Sequence, residues 1–289
     1  MNWLAKIKRI LQVLRDLWNW LSNSLLNLVN KHIKKKRFGQ NFLTDKHVLS
    51  NIFGFIDPRA DDIFLEIGPG SGSMTEMFLG IPEKYDAIEI DKDLIKSLEK
   101  KFKNEKNFSI INKNILDLDL NNFVENNKKI RLIGNLPYNM SSPILDWCFK
   151  QIDLIKDMHF MFQKEFAYRC AGNETTESYG KLSVICNYFC KVDILSDINR
   201  SYFDPVPKVD SSFVRFKPKE DIKNSNEFKN LNFLLNRLFN KKRKKINKTL
   251  IELFSEEDLS KIKIDFNLRP DQLSLEDYIS LAKINIKNG

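Results

Sequence analysis

The chain has 289 residues and a mass of 34.0 kDa, and 42% of its residues are hydrophobic, which is enough for one large globular domain and a smaller one. Its formal net charge is +9, from 47 Lys and Arg against 38 Asp and Glu, so a polyanionic partner is favoured, nucleic acid first. Lys-rich and Asn-rich usage also fits a compositional bias of the genome, and charge alone does not decide. No apolar stretch reaches the roughly 18 residues of a membrane-spanning helix.

Residues 1–33 have the apolar spacing of an amphipathic helix, with steps of three and four between large side chains. These side chains are Leu4, Ile7, Leu11, Leu14, Leu17, Trp18, Leu21, Leu25, Leu28 and Val29. Three interpretations remain open: a helix docked on the protein's own body, a helix that contacts a membrane surface or a partner, and an organelle transit peptide. We expect a bacterial-type cytoplasmic protein, or a mitochondrial or other organellar one if the segment is a transit peptide.

A basic cluster at residues 34–37 leads into the polar and aromatic turn that contains Gln40, Asn41 and Leu43. The cluster is either a solvated linker or a contact for an RNA backbone, and the turn is placed to close over a cofactor. Thr44 or Asp45 can cap a helix that runs to about residue 55.

A glycine loop follows the apolar run at residues 63–67 and precedes a helical pattern over residues 73–79. In this loop, Gly68 and Gly70 allow the backbone to approach a ligand and point a helix N-terminus toward it. A second strand at residues 85–90, which includes Ile90, ends in the acids Glu89 and Asp91, about twenty residues beyond the loop, where an acid can bind both ribose hydroxyls. This combination predicts a cofactor that contains adenosine.

Two features favour S-adenosylmethionine over NAD. The glycine spacing is G-x-G-x-G rather than G-x-G-x-x-G, and Glu66 precedes the loop, where it can interact with a cationic amino acid group that NAD lacks. A strand at residues 108–111 is followed by the turn Asn112-Lys113-Asn114, which we expect at the cofactor's adenine edge, because ligands of doubly wound sheets lie beyond the carboxyl ends of the strands.

The sequence Asn135-Leu136-Pro137-Tyr138 ends another apolar run and has the groups that amine methylation needs. An exocyclic amine such as adenine N6 is a poor nucleophile, because its lone pair is delocalised into the ring. The Asn135 side-chain carbonyl and a backbone carbonyl beside Pro137 can accept its two N–H bonds, while Tyr138 stacks on the base. An ordinary Asn-Leu-Pro turn is the alternative, since short motifs give false positives.

Further strands and helices alternate up to residue 217, which predicts a mostly parallel sheet. A stiff, Pro-interrupted loop contains Phe203, which is either a core residue or a clamp for a base. From residue 218 the pattern is helical, which predicts a smaller helical domain over residues 218–289. Within it, the run Lys241-Lys242-Arg243-Lys244-Lys245 is predicted to lie on a helix, as a solvated face or an RNA phosphate contact.

No metal site is predicted. The four cysteines, Cys148, Cys170, Cys186 and Cys190, form no Cys-x-x-Cys pair and stand in apolar surroundings, so we interpret them as reduced core thiols. The three histidines are widely separated.

In seven segments taken in order, the chain resembles the small-subunit ribosomal RNA adenine dimethyltransferases, the KsgA-like relatives of the Erm methylases. The resemblance covers residues 36 to about 280, and its segments are residues 36–43, 66–70, 88–91, 134–139, 163–165, 179–183 and 203–211. It implies a class I S-adenosylmethionine-dependent methyltransferase fold, which is Rossmann-like, with a catalytic domain at residues 34–217 and the helical domain at residues 218–289. It says nothing about the N-terminal amphipathic extension at residues 1–33, which exceeds the short leader of the family.

The resemblance also implies the reaction. S-adenosylmethionine would donate methyl groups to N6 of two adjacent adenosines in a 3′-terminal hairpin loop of small-subunit rRNA, within a pre-assembled subunit, and we expect the enzyme to be a monomer. The implied catalytic positions are Asn135, Leu136, Pro137, Tyr138 and Phe203, the last stacking on the target base. The expected cofactor contacts are Gln40, Asn41, Leu43, Glu66, Gly68, Gly70, Glu89, Ile90, Asn114 and Asn135.

At Asn114 the chain departs from the family, which usually has Asp there. An Asn carbonyl still accepts from the adenine amine, but without charge assistance. A weakly active ribosome-assembly or nucleic-acid-binding factor with the same fold is therefore the second hypothesis. The intact sequence from Asn135 to Tyr138 favours the enzyme.

Overall fold

The computed structural model describes residues 40–220 and 226–284. The predicted amphipathic extension at residues 1–33 and the basic cluster at residues 34–37 lie outside these residues. The chain divides into two units, residues 1–41 and residues 42–289, and every described helix and strand lies in the second.

A seven-stranded sheet forms the centre of this unit, in the spatial order β4-β3-β2-β5-β6-β9-β7. Strands β2 to β6 pair in parallel, and β9 runs antiparallel between β6 and β7. The strands are β1 (Phe42–Leu43), β2 (Ile63–Ile67), β3 (Lys84–Glu89), β4 (Phe108–Asn112), β5 (Ile130–Asn135), β6 (Ile155–Gln163), β7 (Cys190–Ile198), β8 (Phe203–Asp204) and β9 (Ser211–Pro218). The mostly parallel sheet agrees with the prediction.

The helices are α1 (Lys46–Ile56), α2 (Ser73–Phe78), α3 (Lys92–Lys101), α4 (Ser141–Lys150), α5 (Lys164–Ala171), α6 (Lys181–Phe189), α7 (Asn226–Phe239), α8 (Asn247–Leu253), α9 (Glu256–Ser260) and α10 (Leu275–Ala282). Capping explains where several of them begin. Asp45 accepts the Val48 N–H at 2.9 Å and starts α1, and Asp91 accepts the Asp93 N–H at 2.9 Å and starts α3.

The two faces of the sheet are buried in two separate hydrophobic clusters, because side chains alternate along each strand. Along β2, Ile63, Leu65 and Ile67 belong to the larger cluster, whereas Phe64 belongs to the smaller one. The smaller cluster packs α1 and α2 on the sheet. The larger cluster also takes in leucines of the C-terminal helices.

These helices therefore share a core with the sheet, and residues 42–289 form one compact unit. The boundary at residue 217 marks a change from strands to helices. Its role as a domain boundary stays a prediction.

Two elements differ from the sequence-based expectation. Strand β7 was not predicted, and it is an edge strand that pairs with β9. The run from Lys241 to Lys245 is not helical: it forms the exposed turn between α7 and α8, after α7 ends at Phe239. We call this run the basic turn.

All four cysteines are free and buried, as predicted. Within the described ranges, no helix has the length and apolar character needed to span a membrane.

Candidate active site

The carboxyl ends of four neighbouring strands bring the predicted cofactor residues into one row. Strand pairing sets Ile67 beside Ile88, Glu89 beside Asn112 and Glu66 beside Ile133. The predicted cofactor residues at these strand ends therefore lie in one row, in the order Asn114, Glu89, Gly68 and Asn135. With strands about 4.8 Å apart, three intervals give a row of about 14 Å.

The glycine loop lies open at the centre of this row. Gly68 has φ +69°, and a Cβ added there would meet no other atom within 4 Å, so the backbone borders open space. Gly70 has φ +59°, and a Cβ there would approach the Phe42 ring to 2.6 Å. Only glycine combines this backbone conformation with the ring's close approach.

Glu89 joins the end of β3 to the glycine loop. Its Oε1 accepts the N–H groups of Ile90 at 2.8 Å and Asp91 at 3.0 Å, and its Oε2 accepts the Gly70 N–H at 3.4 Å. Burial raises the pKa of Glu89, and these N–H bonds oppose the rise. Oε2 keeps capacity for further donors, as binding of ribose hydroxyls requires.

Next to this carboxylate, the side chain of Ile90 is 53% exposed, which offers an apolar surface to a base. Asn112 begins the turn that was predicted to reach the cofactor's adenine edge, but its supporting role was not predicted. Its amide donates to the Glu89 carbonyl at 3.0 Å and to the Ile90 carbonyl at 3.3 Å, which fixes both residues. The signal was present, because Asn112 ends β4 two residues before Asn114.

Asn114 caps a short 3₁₀ turn, Ile115–Asp117, and its Oδ1 accepts the Leu116 N–H at 3.1 Å. The same oxygen would have to accept from the adenine amine, because the other terminal atom of an Asn side chain is a donor. The predicted adenine contact stays a prediction.

Glu66 is a buried carboxylate that binds two hydroxyl groups. Its Oε2 accepts the hydroxyls of Thr75 at 2.6 Å and Tyr85 at 2.7 Å, and the residue is only 2% exposed. Burial raises the pKa of Glu66 to about 7; the two hydroxyl bonds oppose this rise, and the charge of Glu89 adds to it. Glu66 shares the β2 face of Phe64, and through Oε2 it supports Thr75 and Tyr85. Its predicted contact with the cofactor's ammonium group stays a prediction.

The element from Asn135 to Tyr138 ends β5 and begins a 3₁₀ turn, Tyr138–Met140. Leu136 is buried, whereas the other three are partly exposed. The Pro137 carbonyl accepts the Met140 N–H at 2.8 Å, and the Tyr138 hydroxyl lies 3.0 Å from Ser211 Oγ. Burial raises the pKa of Tyr138, so its hydroxyl stays protonated at neutral pH.

Phe203 is not exposed as a base-stacking residue would be. Strand β8 pairs antiparallel with β1, which sets Phe203 beside Leu43, and the Phe203 side chain is 3% exposed within the smaller cluster. Stacking on a base therefore requires a change at β1. The predicted contacts of Gln40 and Asn41, which belong to the unit of residues 1–41, stay predictions.

Comparison with known proteins agrees with this geometry. A family model described as ribosomal RNA adenine dimethylase matches residues 31–287. The chain belongs to this family. The chain is similar to the ribosomal RNA small subunit methyltransferase A of Pseudomonas aeruginosa, with 40% identity over 253 residues, 87% of this chain and 94% of the relative. With the Marinobacter nauticus protein of the same name, identity is 38% over 259 residues, 89% of this chain and 94% of the relative.

Solved structures agree with these sequence relatives. A dimethyladenosine transferase from Plasmodium falciparum superposes with a TM-score of 0.70 and 27% identity, covering 83% of this chain and 95% of that one. The 23S rRNA methyltransferase ErmE has a TM-score of 0.67 at 24% identity, with coverages of 84% and 98%, and supports the fold alone.

This adenine dimethylase family member is an enzyme, and its methyl donor is S-adenosylmethionine. The predicted family, class I methyltransferase fold, methyl-transfer activity and donor are thus confirmed. The residues fit the donor, since Gly68 borders open space between the Glu89 carboxylate and the end of β5. Over residues 40–220 and 226–284, no cluster of three or more His, Cys, Asp or Glu can hold a metal ion.

Proposed function

We propose that this protein dimethylates N6 of two adjacent adenosines in the 3′-terminal hairpin loop of small-subunit rRNA, with S-adenosylmethionine as methyl donor, and acts in subunit maturation. One observation carries the proposal: the acceptor element from Asn135 to Tyr138 ends a strand next to the glycine loop. The names of the sequence relatives, small subunit methyltransferase A, support the choice of subunit.

The acceptor amine is held by two oxygens. The Asn135 side-chain carbonyl accepts one N–H, and a backbone carbonyl accepts the other. The Pro137 carbonyl is directed into its own 3₁₀ turn, where it accepts the Met140 N–H, so we assign the second role to the Leu136 carbonyl. Two acceptors in this arrangement favour a pyramidal nitrogen, which directs its lone pair at the methyl group.

On the donor side, bound S-adenosylmethionine supplies an electrophilic methyl group on a sulfonium. Glu89 orients the ribose, Ile90 packs on the adenine, and the backbone at Gly68 and Gly70 leaves space for the rest of the molecule. Tyr138 stacks on the flipped base from the acceptor side.

The basic turn supplies a contact with rRNA phosphates. Its five cations are exposed, and none forms an ion pair with an acid in residues 40–220 or 226–284. Phosphates can neutralise these charges. We propose that the turn binds the rRNA of a pre-assembled small subunit and that the protein acts as a monomer.

The cellular compartment of the protein depends on what residues 1–33 do. We propose a bacterial-type cytoplasmic enzyme, in which this segment docks on the body or touches a membrane or partner, and an organellar enzyme if the segment is a transit peptide.

Mass spectrometry of small-subunit rRNA from cells with and without the protein tests the proposal. We expect two adjacent dimethyladenosines near the 3′ end that are missing without the protein and restored by the parent gene. A gene carrying Asn135→Ala should not restore them. Unmodified adenosines in cells that express the parent protein would refute the proposed reaction.

A further inference from the structure

A cavity that is open to solvent lies beside the acceptor element, and none of the residues that line it has a role in the proposed reaction. It has a volume of about 690 Å³ and lies between α5 and the segment that leads from β7 into β9. Its walls include Lys164, Tyr168, Arg200, Lys208, Val209 and Asp210. Lys164 belongs to residues 163–165, one of the segments on which the family resemblance rests, and the proposed reaction gives it no role.

The cavity is next to the position of the target base. Asp210, in its wall, directly precedes Ser211, whose hydroxyl lies 3.0 Å from the Tyr138 hydroxyl. Neighbouring Cα atoms are about 3.8 Å apart. The Lys164 N–H also donates to the Asp210 carbonyl at 3.0 Å, so the start of α5 is fixed to the same place.

The cavity carries groups that bind anions. Arg200 Nη1 donates to the Lys208 carbonyl at 2.9 Å, which holds its guanidinium beside Lys208. Lys208 forms no ion pair with an acid in the described parts of the chain. The carboxylates of Glu165 and Asp210 also line the cavity. Asp210 Oδ1 accepts the backbone N–H of Arg200 at 3.0 Å.

The same cavity presents a flat ring and an aliphatic side chain. Tyr168 is 41% exposed and Val209 is 44% exposed, although both are large apolar groups. Asp197 holds the ring in place, because its Oδ2 accepts the Tyr168 hydroxyl at 3.2 Å and the Lys164 ammonium at 2.6 Å. The Lys164 ammonium lies 5.5 Å from the centre of the ring.

We propose that this cavity binds one rRNA nucleotide that flanks the target adenosine, with its base against Tyr168 and Val209 and its phosphate at Arg200 and Lys208. The inference rests on the proposed function and adds a second subsite to it. Enzymes that flip a base also contact the flanking nucleotides. An aromatic ring with neighbouring cations is a surface on which any base can stack.

Kinetics on unmethylated small subunits test the base contact. Tyr168→Leu should lower kcat/KM for subunits at least about fivefold, as expected for loss of one stacked base, and leave S-adenosylmethionine affinity unchanged. Tyr168→Phe keeps the ring and loses only the hydroxyl bond. Its decrease in log kcat/KM should therefore be less than half of the decrease in Tyr168→Leu. Equal losses in both variants, or no loss in Tyr168→Leu, would overturn the stacking role.

The phosphate contact has its own matched control. Lys208→Gln should weaken subunit binding and reduce the slope of log affinity against log salt by about 1. Lys191→Gln removes the same charge from an exposed position of β7 outside the cavity and should leave the slope unchanged. Identical salt titrations for the two variants would overturn the phosphate role.

Crosslinking separates this inference from the proposed reaction. The variant Tyr168→p-benzoylphenylalanine, irradiated on unmethylated small subunits, should crosslink to a nucleotide within two positions of the adenosines that the parent enzyme methylates. A crosslink elsewhere, or none to RNA, would overturn the subsite even if methylation is normal. If the parent enzyme does not methylate adenosine, the proposed function fails, whereas a crosslink to the hairpin loop would still support an RNA-binding cavity.

Discussion

The hydroxyls of Tyr138 and Ser211 lie 3.0 Å apart, so the turn that holds the acceptor is tied to the first residue of the antiparallel strand β9. Ser211 is fully buried, which leaves its hydroxyl little freedom. The position of the Tyr138 ring is therefore set from outside its own turn.

Removing this hydrogen bond should slow methylation without abolishing it. Tyr138→Phe and Ser211→Ala should each lower kcat two- to tenfold, which is about 1 kcal/mol and the usual contribution of such a bond. The double variant should be no worse than the poorer single one, because both changes remove the same bond. Additive losses in this double-mutant cycle would show that the two hydroxyls act separately.

Asn135→Ala should abolish methyl transfer and leave S-adenosylmethionine binding weaker but measurable. The side chain accepts from the target amine and also borders the cofactor row. Single-turnover methylation and calorimetry measure the two effects separately. More than about a tenth of the parent rate would contradict an acceptor-positioning role, since such a group contributes at least tenfold.

Asn114→Asp should tighten S-adenosylmethionine binding. One oxygen of the new carboxylate can keep the bond to the Leu116 N–H, and the other can accept from the adenine amine with charge assistance, for a gain of about 1 kcal/mol. Calorimetry measures the change. Asn104→Asp adds the same charge at an exposed position before β4, at the opposite edge of the sheet, and should have no effect. Unchanged or weaker binding in Asn114→Asp would mean that Asn114 does not meet the adenine.

The triple replacement of Lys242, Arg243 and Lys244 by Gln should weaken small-subunit binding and flatten its salt dependence, and it should not alter cofactor affinity. Phosphate contacts release counterions, so fewer of them give a smaller slope. Lys245 is kept because its Nζ donates to Asn267 Oδ1 at 3.0 Å.

The control for the basic turn removes three charges elsewhere. Lys103, Lys106 and Lys129 are exposed and precede β4 and β5, at the edge opposite the site. Their replacement by Gln should leave the salt titration unchanged. If both triple variants bind subunits like the parent, the basic turn is only solvated, and the RNA surface lies elsewhere.

Glu66→Gln should stabilise the protein more at pH 8 than at pH 5. Burial raises the folded-state pKa of Glu66 from 4.5 to about 7, so between these values the folded state holds a proton that the unfolded state has lost. This group therefore makes stability fall as pH rises through that window, by at most about 3 kcal/mol, and Gln removes the effect. Denaturant unfolding at several pH values measures it, with the exposed Glu99→Gln as control. A stability difference independent of pH would contradict a raised pKa.

Periodicity and loop chemistry were enough to predict the strands and the glycine loop that carry the candidate site. The strand, glycine loop and helix around Gly68, the acid at Glu89 and the element at Asn135 each have a local signal, and parallel strands align their carboxyl ends. Strand β7 has no clear alternation of buried and exposed side chains, because most of them are half-buried in an edge strand that pairs only with β9.

Side-chain direction was the harder part. Glu66 is buried because it shares the β2 face of Phe64. Its partners Thr75 and Tyr85 are brought to it by the fold, so they could not be predicted from local sequence. The burial of Phe203 depends on pairing with Leu43, about 160 positions earlier in the chain. The basic turn was predicted as helix because the pattern from residue 218 onward is helical, whereas the chain turns between α7 and α8.

Strand β9 is the last strand of the sheet to be synthesised, yet it lies between β6 and β7, which are made earlier. In a nascent chain that has not yet emerged past residue 218, one edge of β6 and both edges of β7 therefore lack a partner strand. The site also lacks Ser211 as a support for Tyr138. Open edges of this kind promote aggregation. The sheet and the acceptor site are thus completed only after about three quarters of the chain has been made. Truncated chains that end before β9 should therefore be insoluble and inactive.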